Sequence, residues 1–245
     1  MNIILFDENE LKKTATDTYE IDKFDFRAVH LQQVLHLKID DTFIVGFINK
    51  AKYTAKVLEL EKAFSFVLLT EEKTDKLYPV VLAVSQVRPI CMKRILRESV
   101  SLGIEELALI STDTGEKSYR SSNLYTSGEY KKYLLNGAMQ SGSPFISKVE
   151  FYDSVDAFLL ETSIENCQKI VLDNTLQSKS LAELESKKDE KTILAIGGER
   201  GWSDRERNLF KNYSYDFRLI GNRILRTETA CDVGLGLLLA RKKLL

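Results

Sequence analysis

The chain has 245 residues, 44% of them hydrophobic and 29% charged, with a net charge of −1. That length holds one large domain or two small ones, and the composition excludes intrinsic disorder, which needs low hydrophobicity with high net charge. No apolar run reaches the ~20 residues of a membrane-spanning helix, and a neutral balance gives none of the bulk attraction to nucleic acid that a basic protein has.

Residues 1–6 are apolar, but Asp7 and Glu8 follow at once and no basic residue precedes them, so they read as a first strand rather than a signal peptide. Residues about 16–20 read as a second strand. Phe26, Val29, Val34 and Leu37 recur at helical spacing and predict a helix over about 25–36. Thr42, Ile44, Gly46 and Ile48 then alternate with Phe43, Val45 and Phe47, and residues 52–60 and 64–70 are rich in β-branched and aromatic types. Short strands with one helix predict a small β-barrel over residues 1–72. Glu71 to Lys76 is a charged linker with Pro79 just beyond it, and the domain boundary falls there, the second domain covering 77–245.

From Val80 the pattern changes. Strand-like runs at Val80–Val84, Leu107–Ile110, Lys169–Leu172, Ile193–Ile196 and Phe217–Ile220 alternate with helical stretches at about 90–102, 127–141, 180–187, 203–212 and 228–243. Such alternation implies an α/β domain with a parallel sheet, whose ligands sit beyond the carboxyl ends of the strands. The loops after Ile196 and Ile220 are the places to look. Charge divides between the two parts. Residues 1–72 carry 9 Lys+Arg against 13 Asp+Glu, and the remainder 26 against 23, so any grip on phosphates comes from local patches. Arg88, Lys93, Arg94 and Arg97 form one cluster, and Lys131 with Lys132 another, beside Tyr130 and Tyr133; a solvated helix face explains them equally well. Cys91, Cys167, Cys231, His30 and His36 are scattered, which argues against disulfides and metal sites and suits a reducing, cytoplasmic setting.

In the first loop, a buried strand runs into Gly197, Gly198, Glu199, Arg200 and Gly201, and Ser203 with Glu206 makes a capping box that starts a helix. Glycines allow positive φ and close approach of backbone to a ligand. A tight strand-to-helix turn would need them too. The spacing is neither the dinucleotide fingerprint nor a P-loop. Glu199 would repel a phosphate, which disfavours ATP and NAD. In the second loop, Gly221-Asn222 signals a turn, Thr227 reads as an N-cap, and Glu228 complements the helix dipole. Gly234 and Gly236 each cost about 1 kcal/mol in a helix interior, so something packs close to that backbone. Arg241-Lys242-Lys243 reads as a solvated helix end.

The stretch Leu219-Ile-Gly-Asn-Arg-Ile-Leu-Arg-Thr-Glu-Thr-Ala230 resembles the pattern L-G-x-R-I-L-R-x-E-T-A of a bacterial family that methylates uracil N3 in 16S ribosomal RNA. That family lies within the SPOUT superfamily of trefoil-knotted methyltransferases. Ile196-Gly-Gly-Glu-Arg-Gly-Trp-Ser203 resembles the family's I-G-P-E-G-G-F-S. Shorter stretches around His30–Leu35, Ser101–Ile104 and Ala138–Gly142 also resemble it, in the right order. Gly198 stands where the family has proline and Arg200 where it has glycine. His36 and Ser143 stand at family arginines, and Ser101 at a glutamate.

The resemblance implies a PUA-like, RNA-gripping barrel at the N-terminus and a deeply knotted parallel-sheet methyltransferase domain after it. S-adenosylmethionine would lie bent against three loops. The residues implied are Leu172, Ile196, Gly197, Gly198, Glu199, Gly201, Leu219, Ile220, Gly221, Ile224, Leu225, Arg226, Thr229 and Ala230. Arg226 would stabilise the anionic base, with Glu228 or Glu199 taking its proton. A helix-dipole role for Glu228 and a surface ion pair for Arg223 stay open. His30, His36, Arg94, Arg200 and Arg223 would face RNA. The enzyme would be a homodimer joined near the Gly234 face, acting on 16S rRNA within the 30S subunit. A non-catalytic RNA-binding relative, or a methyltransferase with another RNA target, are the competing readings.

Overall fold

The computed structural model describes residues 2–14, 17–162, 167–176 and 178–245, and they divide into two compact units. The first comprises Met1–Lys76 with Ala138–Ile146, an excursion that no sequence signal marks. Its elements are β1 (Ile4–Phe6), β2 (Lys12–Lys13), β3 (Thr18–Ile21), α1 (Phe26–Gln33), β4 (Thr42–Phe47), β5 (Lys52–Glu59) and β6 (Phe64–Glu72). The six strands form one sheet in the order β1-β4-β5-β6-β3-β2, parallel between β1 and β4 and otherwise antiparallel. Phe6, Phe43, Phe64 and Phe66 are buried in its core, alternate strand residues pointing inward as a pleated, half-buried surface requires. Arg27 lies over the Phe6 ring and is held by Asp25 and Glu10 at 2.7 Å each.

Helix α1 stops at Gln33, short of the expected residue 36. His36 is left-handed, with φ of 53°, a conformation that ends a helix and that histidine tolerates better than most residues.

The second unit, Leu77–Gly137 with Ser147–Leu245, carries β7 (Tyr78–Ser85), α2 (Pro89–Ser101), β8 (Ile104–Ile110), α3 (Asn123–Thr126) and α4 (Tyr130–Ser141), the last of which runs on into Ala138–Ser141 of the first unit. Then come β9 (Lys148–Tyr152), α5 (Val155–Glu161), β10 (Gln168–Leu172), β11 (Lys179–Ser180), β12 (Thr192–Ile196), α6 (Asp204–Asn212), β13 (Asp216–Leu219) and α7 (Thr227–Arg241). All seven strands are parallel, in the order β11-β13-β10-β12-β7-β8-β9. The central strands β7, β8, β10 and β12 are near-continuous apolar runs, as expected of strands covered on both faces. Among the described residues no helix is long and apolar enough to cross a membrane.

Three local expectations are corrected. No α-helix forms over 180–187; a single 3-10 turn, Leu181–Glu183, stands there. The segment is bound instead by the end of the chain. Arg241 Nε donates to Leu184 O at 2.6 Å, and Lys242 Nζ donates to Lys187 O at 2.8 Å and Glu190 O at 2.5 Å. Lys242 is accordingly not a solvated terminus. It is fully buried, its Nζ also reaching Thr192 Oγ1 at 3.0 Å, and burial lowers its pKa. The third concerns Gly234, whose close neighbour is its own sheet and not a second subunit. A Cβ there would stand 3.2 Å from Leu172 Cδ1, 3.4 Å from Leu194 Cδ2 and 3.6 Å from Ile196 Cδ1, whereas Gly236 has nothing within 4 Å.

Gly234→Leu should therefore lower stability by about 2–3 kcal/mol through overpacking, while Gly236→Ala should stay within about 1 kcal/mol of the parent. Chemical denaturation of both variants checks this; equal stability of the pair would contradict the packing described.

Candidate active site

In the sheet order, β13, β10 and β12 are neighbours, so their carboxyl ends, Leu219, Leu172 and Ile196, come out side by side. A cavity of about 310 Å³ opens between the loops that follow them. Its apolar wall comes from Leu172, Ile196, Leu219, Ile220, Ile224 and Leu225. Gly197, Gly198, Gly201 and Gly221 line it as well, with Ala230 from α7.

Each loop is fixed by identifiable contacts. Trp202 is buried and its Nε1–H donates to Leu172 O at 3.1 Å, tying the loop after β12 to the end of β10. Gly201 N–H returns to Gly198 O at 3.0 Å with φ of 64° at Gly201, the one glycine of this loop in the left-handed region. Gly197 and Gly198 serve close approach instead. A Cβ at 197 would meet the Gly201 backbone at 3.1 Å, and one at 198 would meet Ser85 Oγ at 2.9 Å. The capping box of α6 forms as its sequence predicts: Ser203 Oγ accepts from Glu206 N, and Glu206 Oε2 accepts from Ser203 N at 2.7 Å. Glu206 is fully buried and also accepts Asp113 N–H at 2.8 Å, so one carboxylate holds two loops. Arg205 pairs with Asp113 and Asp156 at 2.7 Å each; its guanidinium, with Ser203 Oγ, keeps the Asp113 carboxyl below the usual range.

Most of the expected ligand residues converge on this cavity. Arg226, Thr229 and Glu228 do not line it. Arg226 is the N-cap of α7, one residue earlier than expected, because Thr227 is already helical and spends its hydroxyl on Gly197 O at 3.3 Å. Thr229 is exposed and Glu228 buried. Burial, with the Glu228 carboxylate beside it, pushes the Cys91 thiol pKa up. Glu199 does line the cavity, exposed, its Oε1 3.4 Å from Arg88 N. Of the residues expected to face RNA, Arg200 and Arg223 line the cavity and Arg94 is exposed on α2. In the first unit His36 is exposed, but His30 Nε2 is buried without a hydrogen-bond partner, and burial lowers the His30 pKa. The rest of the α2 cluster is partly spent: Lys93 pairs with Glu129 at 2.9 Å and Arg97 with Glu98 at 2.7 Å.

Sequence reasoning missed Asp173, Asn174, Thr175, Arg207 and Arg218 in the lining. Asp173 is buried and paired with Arg207 at 2.7 Å, and Arg207 also donates to Thr175 Oγ1 at 3.0 Å. The signal was available. Asp-Asn-Thr directly follows a buried strand, where ligands of parallel sheets bind, and Arg207 stands one helical turn beyond Ser203. Gly221 has open space around a would-be Cβ and no left-handed φ, so any demand for glycine there comes from the cavity rather than the turn. Among the described residues no three His, Cys, Asp or Glu side chains gather as metal ligands would.

A methyltransferase class is what the comparisons define. Residues 73–239 match the RNA methyltransferase domain family, and the chain belongs to that family. It is 35% identical to the Ribosomal RNA small subunit methyltransferase E of Treponema pallidum, over 98% of this chain and 91% of that one. It is 28% identical to the Ribosomal RNA small subunit methyltransferase E 1 of Borreliella burgdorferi, over 94% of each. The fold matches a crystal structure of the Ribosomal RNA small subunit methyltransferase E of Neisseria gonorrhoeae bound to S-adenosyl methionine. The TM-score is 0.80 at 18% identity, over 98% and 97% of the two chains. The resemblance read from the two glycine loops is thus borne out at the level of the family.

Glu206→Ala strands two backbone N–H groups and should cost about 3 kcal/mol of stability, since hydrogen bonds to charged groups contribute about 1.5–3 kcal/mol each. Denaturant titration reads it; a loss under about 1 kcal/mol would mean that the carboxylate does not anchor the loops.

Proposed function

We propose that this protein transfers a methyl group from S-adenosylmethionine to N3 of a uridine in 16S ribosomal RNA. The observation that carries the reading is the cavity beyond the adjacent ends of β10, β12 and β13, in a chain of this family. Its chemistry fits the donor. The apolar wall suits an adenine ring, Arg200 or Arg223 suits a carboxylate, and Glu199 suits a sulfonium or ammonium. Asp173 is already neutralised by Arg207, which leaves no unpaired buried charge beside the ligand. When bound, S-adenosylmethionine supplies an electrophilic methyl group.

The protein's part is to position and deprotonate. Orientation in a confined site accounts for up to ~7–11 kcal/mol of barrier reduction. Glu199, exposed at the cavity, is the candidate base for the N3 proton; Glu228 is shut away against Cys91 and is the weaker choice. Arg226, exposed at the head of α7, is the candidate for stabilising negative charge on the ring oxygens. The first unit serves as a PUA-like barrel that helps hold the 30S particle, in the cytoplasm. The clasp of Arg241 and Lys242 on residues 184–192 fits the threaded last helix of a trefoil knot.

The homodimer belongs to the same reading. Helix α7 buries Gly234, Leu235, Leu238 and Leu239, and beyond Thr229 and Asp232 its exposed face presents Val233, 39% exposed, near the small Gly236. An exposed valine beside a glycine on such a face lets a second helix approach closely, and that is where the partner chain would sit.

Calorimetry should show S-adenosylmethionine binding, with no heat from NAD or ATP. Gly221→Val should fold as the parent does yet bind the donor at least about tenfold more weakly, a ~1.4 kcal/mol effect. Absence of donor binding by folded protein rejects the proposal, and unchanged affinity in the variant removes the loop from the site. Sedimentation should give about twice the 28.0 kDa chain mass, falling to one chain in Val233→Lys. A parent monomer that still transfers methyl groups would reject the dimer.

A further inference from the structure

The second unit holds another cavity, of about 540 Å³, beyond the carboxyl ends of β7, β8 and β9. Its most buried lining side chain is Gln86, 5% exposed. The Ser111 hydroxyl donates to Gln86 Oε1 at 3.2 Å, and Ser111 N–H donates to Tyr152 O at 2.9 Å. The carboxamide is thereby oriented, while its N–H donors meet no partner among the described residues.

The acidic groups around the cavity are already engaged. Asp113 is bound by Arg205, Asp153 pairs with Arg120, and Glu116 accepts Ser118 N–H at 3.4 Å. Lys117 is exposed and has no ion-pair partner among the described residues. A free anion entering here would meet three carboxylates. A neutral ring bearing both carbonyl acceptors and N–H donors would meet an oriented carboxamide and the hydroxyls of Ser111 and Thr112, which donate and accept.

This cavity stands back to back with the first. Ser85 Oγ and Thr112 Oγ1 are 2.8 Å apart, Ser85 closes on Gly198, and Thr114 Oγ1 donates to Gly201 O at 2.7 Å. Thr112 lines the second cavity, and Gly198 and Gly201 line the first. Two backbone segments therefore form the wall between them.

We propose that the second cavity is a nucleobase subsite, taking an unstacked base that flanks the methylated one. The proposal rests on the RNA-methyltransferase reading above. In-line transfer needs direct contact between the acceptor nitrogen and the methyl group, and the wall denies that contact to a base lodged here. The base is therefore a neighbour, read on its hydrogen-bonding edge by Gln86, with Lys117 at its backbone phosphate. Single-stranded RNA is recognised in this way, by splayed bases held at their edges.

Ultraviolet crosslinking of the full chain to 30S particles whose RNA carries 4-thiouridine, mapped by peptide mass spectrometry, tests it. Crosslinks should fall within residues 111–120. Gln86→Met, close in volume, and Lys117→Ala, at an exposed position, should each reduce them about tenfold, the effect of one lost hydrogen bond to a charged or buried group. Donor affinity, measured in parallel by calorimetry, should not change. Crosslinks confined to other peptides, none at all, or none lost in either variant overturn the subsite. Crosslinks at 111–120 in a protein that binds no donor would keep the subsite and remove the methyltransferase reading; donor binding without them does the reverse.

Discussion

Helix α7 lies flush on β10 and β12 because residue 234 has no side chain, with Leu172, Leu194 and Ile196 closing on its backbone. Two of those three residues, Leu172 and Ile196, are the last of their strands and line the cavity. The helix thus packs on the two strand ends that open onto the cavity. Its first residue, Thr227, is pinned to Gly197 O, and the loop from Ile220 to Arg226 must reach it from β13. Trp202 closes the circuit by donating to Leu172 O. Three loops far apart in sequence are held together by this close helix-sheet contact, these two hydrogen bonds and the pairing of Arg207 with Asp173. A glycine that costs about 1 kcal/mol in helix propensity is retained where a Cβ would stand 3.2 Å from Leu172 Cδ1 and a larger side chain would overpack the contact.

Charge in this molecule works locally. With a net charge of −1 the chain attracts no polyanion as a whole. The buried pair that lines the site, Asp173 with Arg207, mainly fixes geometry, since burying a pair recovers little beyond its desolvation cost, and the exposed pair of Asp113 with Arg205 contributes little to stability. Arg200 and Arg223 are left exposed at the cavity. A protein so built has few phosphate grips, and its non-specific binding to RNA is correspondingly weak, with a shallow dependence on salt. Recognition of a folded particle, by shape and by splayed bases, suits such a surface better than recognition of a short strand.

Much of this was legible in the residues themselves. The parallel sheet followed from apolar runs alternating with helical stretches, and the site from the rule that ligands sit beyond strand ends. The Ser203–Glu206 capping box was readable to the residue. What escaped is what depends on residues distant in sequence. Residues 180–187 have helical composition, yet the segment is bound by Arg241 and Lys242 at Leu184 O and Lys187 O, and no local pattern reports a partner some fifty residues on. Lys242 reads as a surface lysine for the same reason. Gly234 signalled a close neighbour correctly, but spacing could not tell its own sheet from a second chain. β9 went unread because it is an edge strand with mixed exposure, and α5 because its 7 residues are too few to show a helical period.

The most direct test is transfer of labelled methyl groups from S-adenosylmethionine to 30S particles prepared without the modification. A short hairpin of matching sequence serves as comparison at equal concentration and salt, and nucleosides are resolved after digestion. Label should appear in the particle as 3-methyluridine, with little in the hairpin. Label in another nucleoside, or equal labelling of the hairpin, would contradict the account.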